Sequence, residues 1–125
     1  MGAMLLLAWL ACIGTGWAEG ELKYNPYART YRWVPADSRL EYNPSSRCYE
    51  WVQRGARLKY NPYSHAYEFA LPDAMLRYNS DDRVYEFAPP HYELKYNPYQ
   101  RTHRFVPRDA RLKYNPYSRE YEWAW

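Results

Sequence analysis

The stretch Leu112–Trp123 reads LKYNPYSREYEW, and Leu22–Trp33 reads LKYNPYARTYRW. Between them the same phrase recurs at a constant interval. Leu22, Leu40, Leu58, Leu76, Leu94 and Leu112 stand 18 residues apart with no insertion. A fixed period outranks every other fold signal, because it means one structural unit repeated along the chain. Counting slots from the leucine, slot 3 is always Tyr and slot 4 always Asn. Slot 5 is Pro except at Ser80, slot 8 Arg except at His65, and slot 10 Tyr except at His103. Slot 12 is always Trp or Phe.

A helical unit is opposed by the proline at slot 5 and by the density of Tyr, Trp and Val. The pattern alternates instead. Slots 1 and 3 are apolar around a charged residue, and slots 10 and 12 are aromatic around another. That is the two-residue period of a strand. Between these runs lies Asn-Pro-Tyr-Ser-Arg, in which Asn caps its own turn and Pro presets φ. A second turn signal follows slot 13, as in VPADSR and VPRDAR. The spacing therefore predicts an all-β array of tandem β-hairpins, a meander or solenoid of six repeats and about twelve short strands.

Pairing slot 3 with slot 10 and slot 4 with slot 9 leaves a four-residue loop, a common hairpin length. Pairing slot 12 with the next leucine gives a similar loop and a continuous meander. That second pairing sets Arg32 against Glu41, Glu50 against Lys59, Glu68 against Arg77, Glu86 against Lys95 and Arg104 against Lys113. Four of these five pairs are opposite in sign, which favours neighbouring strands in chain order.

In this register slots 1, 3, 10 and 12 share one face. The face carries Tyr24, Tyr31 and Trp33; Tyr42, Tyr49 and Trp51; Tyr60, Tyr67 and Phe69; Tyr78, Tyr85 and Phe87; Tyr96 and Phe105; and Tyr114, Tyr121 and Trp123. Each ring offers roughly 150–250 Å². Leaving that surface open would exceed the few hundred contiguous Å² that a soluble monomer exposes. The face must therefore be covered, by the sheet coiling on itself, by a second copy, or by a ligand with flat surfaces such as sugar rings. The turns form a second row along one edge. Tyr27, Tyr63, Tyr99 and Tyr117 at slot 6 accompany Arg29, Arg47, Arg83, Arg101 and Arg119 at slot 8, a Tyr/Arg series suited to an anionic or sugar polymer.

Ahead of the repeats, MGAMLLLAWLACIGTGWAEG holds an uncharged apolar run too short to span a bilayer. Gly16 and Ala18 place small side chains where signal peptidase cuts, so residues 1–18 are read as a secretory signal and residues 19–125 as a single repeat domain. Lipidation at Cys12 is the less favoured reading, because Trp9 stands where a lipobox usually has Leu. The remaining chain is expected to be secreted or periplasmic, with no transmembrane span and one cysteine, Cys48, read as a small filler. A net charge of +3 does not announce a nucleic-acid binder.

Catalytic and metal constellations are not apparent. His65, His91 and His103 fall in different slots, so no histidine metal cluster forms from the repeat. Asp37, Asp73 and Asp109 share slot 16, where aspartate usually caps a turn. No cofactor and no enzymatic activity are expected. The closing YEWAW resembles the last strand of an outer-membrane barrel, but a period of 18 leaves strands about half the 9–11 residues such strands need.

The unit YNPYSR followed by alternating aromatics resembles the tyrosine–aspartate repeats of large secreted bacterial shell proteins, with Asn in place of Asp and Ser118 or its equivalents in the Gly slot. It is similar also to small secreted bacterial proteins built from tandem Leu-Lys-Tyr-Asn-Pro repeats, and more broadly to choline-binding repeats, whose Gly-Trp signatures are missing. These resemblances cover Leu22–Trp125 and imply a β-hairpin array. The function expected is non-catalytic binding of an envelope polysaccharide or another envelope surface. The alternative is self-assembly of the chain into extracellular sheets or filaments through unpaired end strands.

Overall fold

The computed structural model describes residues 20–125, and the proposed signal segment and Cys12 lie outside these. Twelve strands of five residues each follow in order: β1 (Glu21–Asn25), β2 (Thr30–Val34), β3 (Arg39–Asn43), β4 (Cys48–Val52), β5 (Arg57–Asn61), β6 (Ala66–Ala70), β7 (Met75–Asn79), β8 (Val84–Ala88), β9 (Glu93–Asn97), β10 (Thr102–Val106), β11 (Arg111–Asn115) and β12 (Glu120–Ala124). The chain is all-β, and each repeat is one antiparallel hairpin. Its register is the one the loop length demands: Tyr24 faces Tyr31 and Asn25 faces Thr30, and every later repeat follows.

The turn that joins the two strands is built by the asparagine. In the first repeat Asn25 Oδ1 accepts the amides of Tyr27 at 2.9 Å and Ala28 at 3.2 Å. From the second repeat on, the slot 8 amide donates to the carbonyl of the same asparagine, as Arg119 N does to Asn115 O at 2.7 Å. Closing four residues this way forces slot 8 into the left-handed region, with φ between 56° and 60° at Arg29, Arg47, His65, Arg83, Arg101 and Arg119. The connection to the next hairpin is a tight turn closed by backbone alone, Ser38 N to Pro35 O at 2.9 Å and its equivalents. The slot 16 aspartates do not cap it: Asp37 and Asp109 make no hydrogen bond among the described residues, and Asp73 lies 4.0 Å from His91.

Between hairpins the meander expected from the charges is absent. The six hairpins are separate two-stranded sheets. Slot 2 opposes slot 11 of its own repeat, so Lys23 faces Arg32, Glu41 faces Glu50 and Lys95 faces Arg104. Such like-charge pairs are tolerated because the two side chains diverge. Lys23 Nζ reaches down to Ala36 O at 2.8 Å and Ser38 O at 3.0 Å in the connecting turn. Glu50 reaches the other way, accepting from Asn43 Nδ2 at 3.0 Å and Ser46 Oγ at 2.8 Å. The sign pattern had been assigned to cross-strand pairing, whereas these charges serve turns and neighbouring rings.

What joins the hairpins is a stack of unlike faces. The face of one hairpin bearing slots 2 and 4 packs on the aromatic face of the next. Asn25 Nδ2 donates to Tyr49 O, Asn43 to Tyr67 O, Asn61 to Tyr85 O, Asn79 to His103 O and Asn97 to Tyr121 O, at 2.8–3.1 Å. Lys23, Lys59, Arg77 and Lys95 lie over the slot 12 rings of Trp51, Phe87, Phe105 and Trp123, at 4.5–5.8 Å from the centroids. Each contact links one repeat to the following one.

At the end of the chain the series returns to its start. Asn115 Nδ2 donates to Tyr31 O at 2.7 Å, Tyr117 stacks on Tyr31 at 3.7 Å, and Lys113 sits over Trp33 at 4.9 Å. Trp33 adds two bonds, its amide to Glu122 Oε1 at 3.2 Å and its indole to Tyr114 O at 3.1 Å. Hairpin 6 thus meets hairpin 1 as hairpin 1 meets hairpin 2. Heterologous contacts that close in this way make a ring. The seam is tight: a Cβ on Gly20 would stand 2.7 Å from Val34 O and 2.9 Å from Trp125 O.

An isolated two-stranded hairpin is marginal in water. Here each hairpin packs between two others, and the slot 4 asparagine of one donates to the slot 10 carbonyl of the next all the way round. The most buried side chains are small: Val34, Val52, Ala70, Ala88, Val106 and Ala124 at slot 13, with the six asparagines. The second strands lie innermost and line a central channel of about 800 Å³.

Candidate functional site

The aromatic face of each hairpin lies against another hairpin of the same chain. The polar face of the neighbouring hairpin covers it. Coverage is partial, and it sorts the rings by slot. Slot 12 rings are half-buried, while slot 3 tyrosines remain 45–49% exposed in every repeat. Slot 6 tyrosines are the most open, with Tyr27, Tyr63, Tyr99 and Tyr117 at 60–64%.

These open tyrosines are fixed nonetheless. Each lies flat on the slot 10 tyrosine of the next hairpin: Tyr27 on Tyr49, Tyr63 on Tyr85, Tyr99 on Tyr121 and Tyr117 on Tyr31, at 3.7–4.0 Å and 12–20°. The slot 10 ring in turn leans on slot 3 of its own repeat, Tyr24 on Tyr31 at 4.9 Å and Tyr114 on Tyr121 at 5.3 Å. Every such interface is a trio of tyrosines from two hairpins. One ring face of the slot 6 tyrosine is held and the other is presented to solvent.

Beside each trio stands a cation. Tyr99, Gln100, Arg119, Glu120 and Tyr121 line one groove at the rim. The 18-residue offset would carry the same pairing to Tyr27 with Arg47, Tyr63 with Arg83 and Tyr117 with Arg29. The sequence row paired each tyrosine with the arginine of its own turn, whereas the fold pairs it with that of the next. By the same offset Arg101 belongs to the interface where Asp81 stands in place of the slot 6 tyrosine. The sequence places all five arginines in the row but not the slot 10 tyrosine as its floor; the stacking of Tyr99 on Tyr121 across two hairpins is what shows it.

The arginines are conspicuous for what they lack. Among the described residues, the side chains of Arg29, Arg47, Arg83, Arg101 and Arg119 make no hydrogen bond, ion pair or ring contact. All are exposed, and all hold a left-handed backbone that costs a non-glycine residue about 1–2 kcal/mol. Glycine would serve the turn better. Strain retained at a position where the side chain does nothing for the fold points toward function.

Two interfaces depart from the pattern. Ser45 replaces the slot 6 tyrosine of hairpin 2, and its Oγ accepts the amide of Tyr67 at 3.1 Å. Asp81 replaces that of hairpin 4, and it faces His103, the one slot 10 that is not tyrosine. The remaining chemistry is sparse. Among the described residues no three His, Cys, Asp or Glu side chains are placed to hold a metal ion. Cys48 is free and exposed, so it is not the packed filler expected of it. No described helix is long and apolar enough to cross a membrane. No family model, curated protein or solved structure matches this chain.

Proposed function

We propose that the ring is a secreted, non-catalytic binding protein that grips a polysaccharide or other cell-envelope polymer through its Tyr/Arg rim. The observation that carries this reading is the unpaired arginine at positive φ beside a stacked, solvent-facing tyrosine, present at four of the six interfaces. A tyrosine held from behind loses little freedom when the apolar face of a sugar ring stacks on it. A guanidinium with all its donors free recognises carboxylate, sulfate or phosphate in the flat two-point geometry that lysine cannot offer. Four such grooves on one rigid body make a multivalent surface, so weak contacts to a repeating polymer add up.

Self-assembly is the second reading. The unpaired end strands that motivated it are covered in this ring by the contacts of hairpin 6 with hairpin 1. Copies would therefore have to meet through rims or outer walls, where the slot 3 tyrosines are exposed.

The test is retention on immobilised acidic and neutral glycans and on peptidoglycan. Wild type is expected to be held on at least one acidic polymer and released by salt. Tyr99→Ala with Tyr117→Ala, and separately Arg29→Gly with Arg119→Gly, are expected to weaken retention at least tenfold. Unchanged retention in both pairs would remove the rim as the site.

A further inference from the structure

Slot 11 lines the central channel at Arg32, Glu50, Arg104 and Glu122, and four of the six slot 11 residues are glutamates. Glu50, Glu68, Glu86 and Glu122 each accept from the asparagine of their own hairpin, at 2.9–3.2 Å. In three of these repeats a slot 7 serine adds a second bond at 2.8–3.2 Å, from Ser46, Ser64 and Ser118. Repeats 1 and 5 break the rule together. Their slot 11 residues are Arg32 and Arg104, and their slot 7 residues are Ala28 and Gln100. Serine is gone where its carboxylate partner is gone.

The two arginines lie on either side of hairpin 6 and both line the channel. Among the described residues neither makes a hydrogen bond or an ion-pair contact. The carboxylate between them, Glu122, is already engaged by Asn115, Ser118 and the amide of Trp33. Arg104 is exposed although protein atoms crowd around it; that crowding first, and the charge of Arg32 second, pull its pKa down, against the pull of Glu86 and Glu122. Two like charges with ten guanidinium donors between them thus share a channel whose wall also carries Glu50, Glu120 and Glu122, yet neither arginine is hydrogen-bonded or ion-paired to any of these carboxylates among the described residues. The indole and phenyl rings of Trp33, Phe105 and Trp123 line the same channel, whose volume of about 800 Å³ suits a small organic ligand.

We propose that the central channel is a binding site for a small oxyanion-bearing ligand, whose carboxylate, phosphate or sulfate group is held between Arg32 and Arg104. This site is separate from the rim and does not depend on the rim reading. A planar oxyanion would take bidentate bonds from either guanidinium and relieve their mutual repulsion. The rest of the ligand would lie against the slot 12 rings.

The test uses the whole chain with three probes: inorganic phosphate, sulfate and glucuronate, titrated by calorimetry and by tryptophan fluorescence. The site predicts saturable binding of one equivalent, stronger for glucuronate if the rings contribute and equal to phosphate if only the charge is read. The decisive variant gives repeats 1 and 5 the pattern of repeats 2, 3 and 6: Ala28→Ser and Arg32→Glu with Gln100→Ser and Arg104→Glu. Because this copies contacts already present three times in the ring, it is expected to keep the melting profile and to lose binding at least tenfold. A second variant, Arg32→Gln with Arg104→Gln, removes the charge without importing carboxylates and is expected to lose binding similarly. Arg54→Gln with Arg57→Gln, two exposed arginines outside both the rim groove and the channel, is expected to bind all three probes as wild type does, and the rim variant Arg29→Gly with Arg119→Gly is titrated alongside. Absence of saturable binding by wild type, or binding that survives in the folded Arg32/Arg104 variants, overturns the proposal. Loss of binding only in the rim variant would overturn it and leave the rim reading standing.

Discussion

His103 Nδ1 lies 2.8 Å from Asp81 Oδ2, in the place where tyrosine stacks on tyrosine at four other interfaces. The nitrogen is not aligned for a hydrogen bond, so the contact is one of charge when the imidazole is protonated. The two departures from the repeat are therefore one substitution spread over two hairpins. Asp81→Tyr alone sets a phenol against an imidazole, and His103→Tyr alone sets it against a carboxylate. The double variant restores the stack. Each single change is expected to lower stability and the double to recover it, with a coupling of roughly 0.5–3 kcal/mol in a denaturation cycle. Additive effects would mean the two residues do not share an interface.

The buried asparagine has two jobs that substitution can separate. Asn61→Asp keeps the acceptor that the Tyr63 amide uses at 2.9 Å but removes the donor to Tyr85 O at 2.9 Å, and it adds a buried charge. Asn61→Ala removes both. Both are expected to destabilise by about 1–3 kcal/mol or more, because polar groups are left buried without partners. Chemical denaturation measures the loss, and a melting curve unchanged by Asn61→Ala would contradict the clamp.

The left-handed slot is a point where stability and function part. Arg83→Gly removes backbone strain and no contact, so it is expected to raise stability by about 1 kcal/mol. The same change is expected to weaken glycan retention. A destabilising effect would mean that Arg83 supports the fold.

Much of this was legible in the sequence, and the failures have a common cause. The register of Tyr24 with Tyr31 follows from loop length and alternation, both local. The neighbour of a hairpin is not local. Arg32 against Glu41 looked like a strand pair because the signs matched, yet Lys23 reaches the next hairpin's Trp51 instead. A face-to-face stack leaves no two-residue period to read, and nothing in the composition tells a ladder from a ring. His103 and Asp81 did stand out as breaks in the repeat, but only the wrap from one hairpin to the next shows that they touch.

Alkaline pH should loosen the ring. Tyr92 has its phenol pushed above the ordinary 10.0, by burial first and by Asp73 and Asp109 next. Tyr31 is raised too, chiefly by the stacked Tyr117. A raised phenol means the folded chain holds the proton more tightly than the unfolded one. That stabilisation is whole below the ordinary value and is lost as pH climbs through the elevated one. Unfolding midpoints are expected to fall between about pH 10 and pH 12, and less steeply in Tyr92→Phe. An equal fall in both would take Tyr92 out of the account.

Closure can be tested by cutting the circle in half. Residues 20–73 hold three hairpins with an unmet face at each end. Two copies are expected to join head to tail, Asn61 of one reaching Tyr31 O of the other, and to sediment at the mass of the full ring. A stable monomer of the half would show that the terminal faces need no partner.

The seam between Gly20 and Trp125 falls between hairpins and splits none of them, so the circle is fastened by side chains alone. Its geometry fixes a census: with five or seven units the Asn115 amide would no longer find the Tyr31 carbonyl. The contact that completes the fold therefore ties the tilt between neighbouring hairpins to the number of repeats.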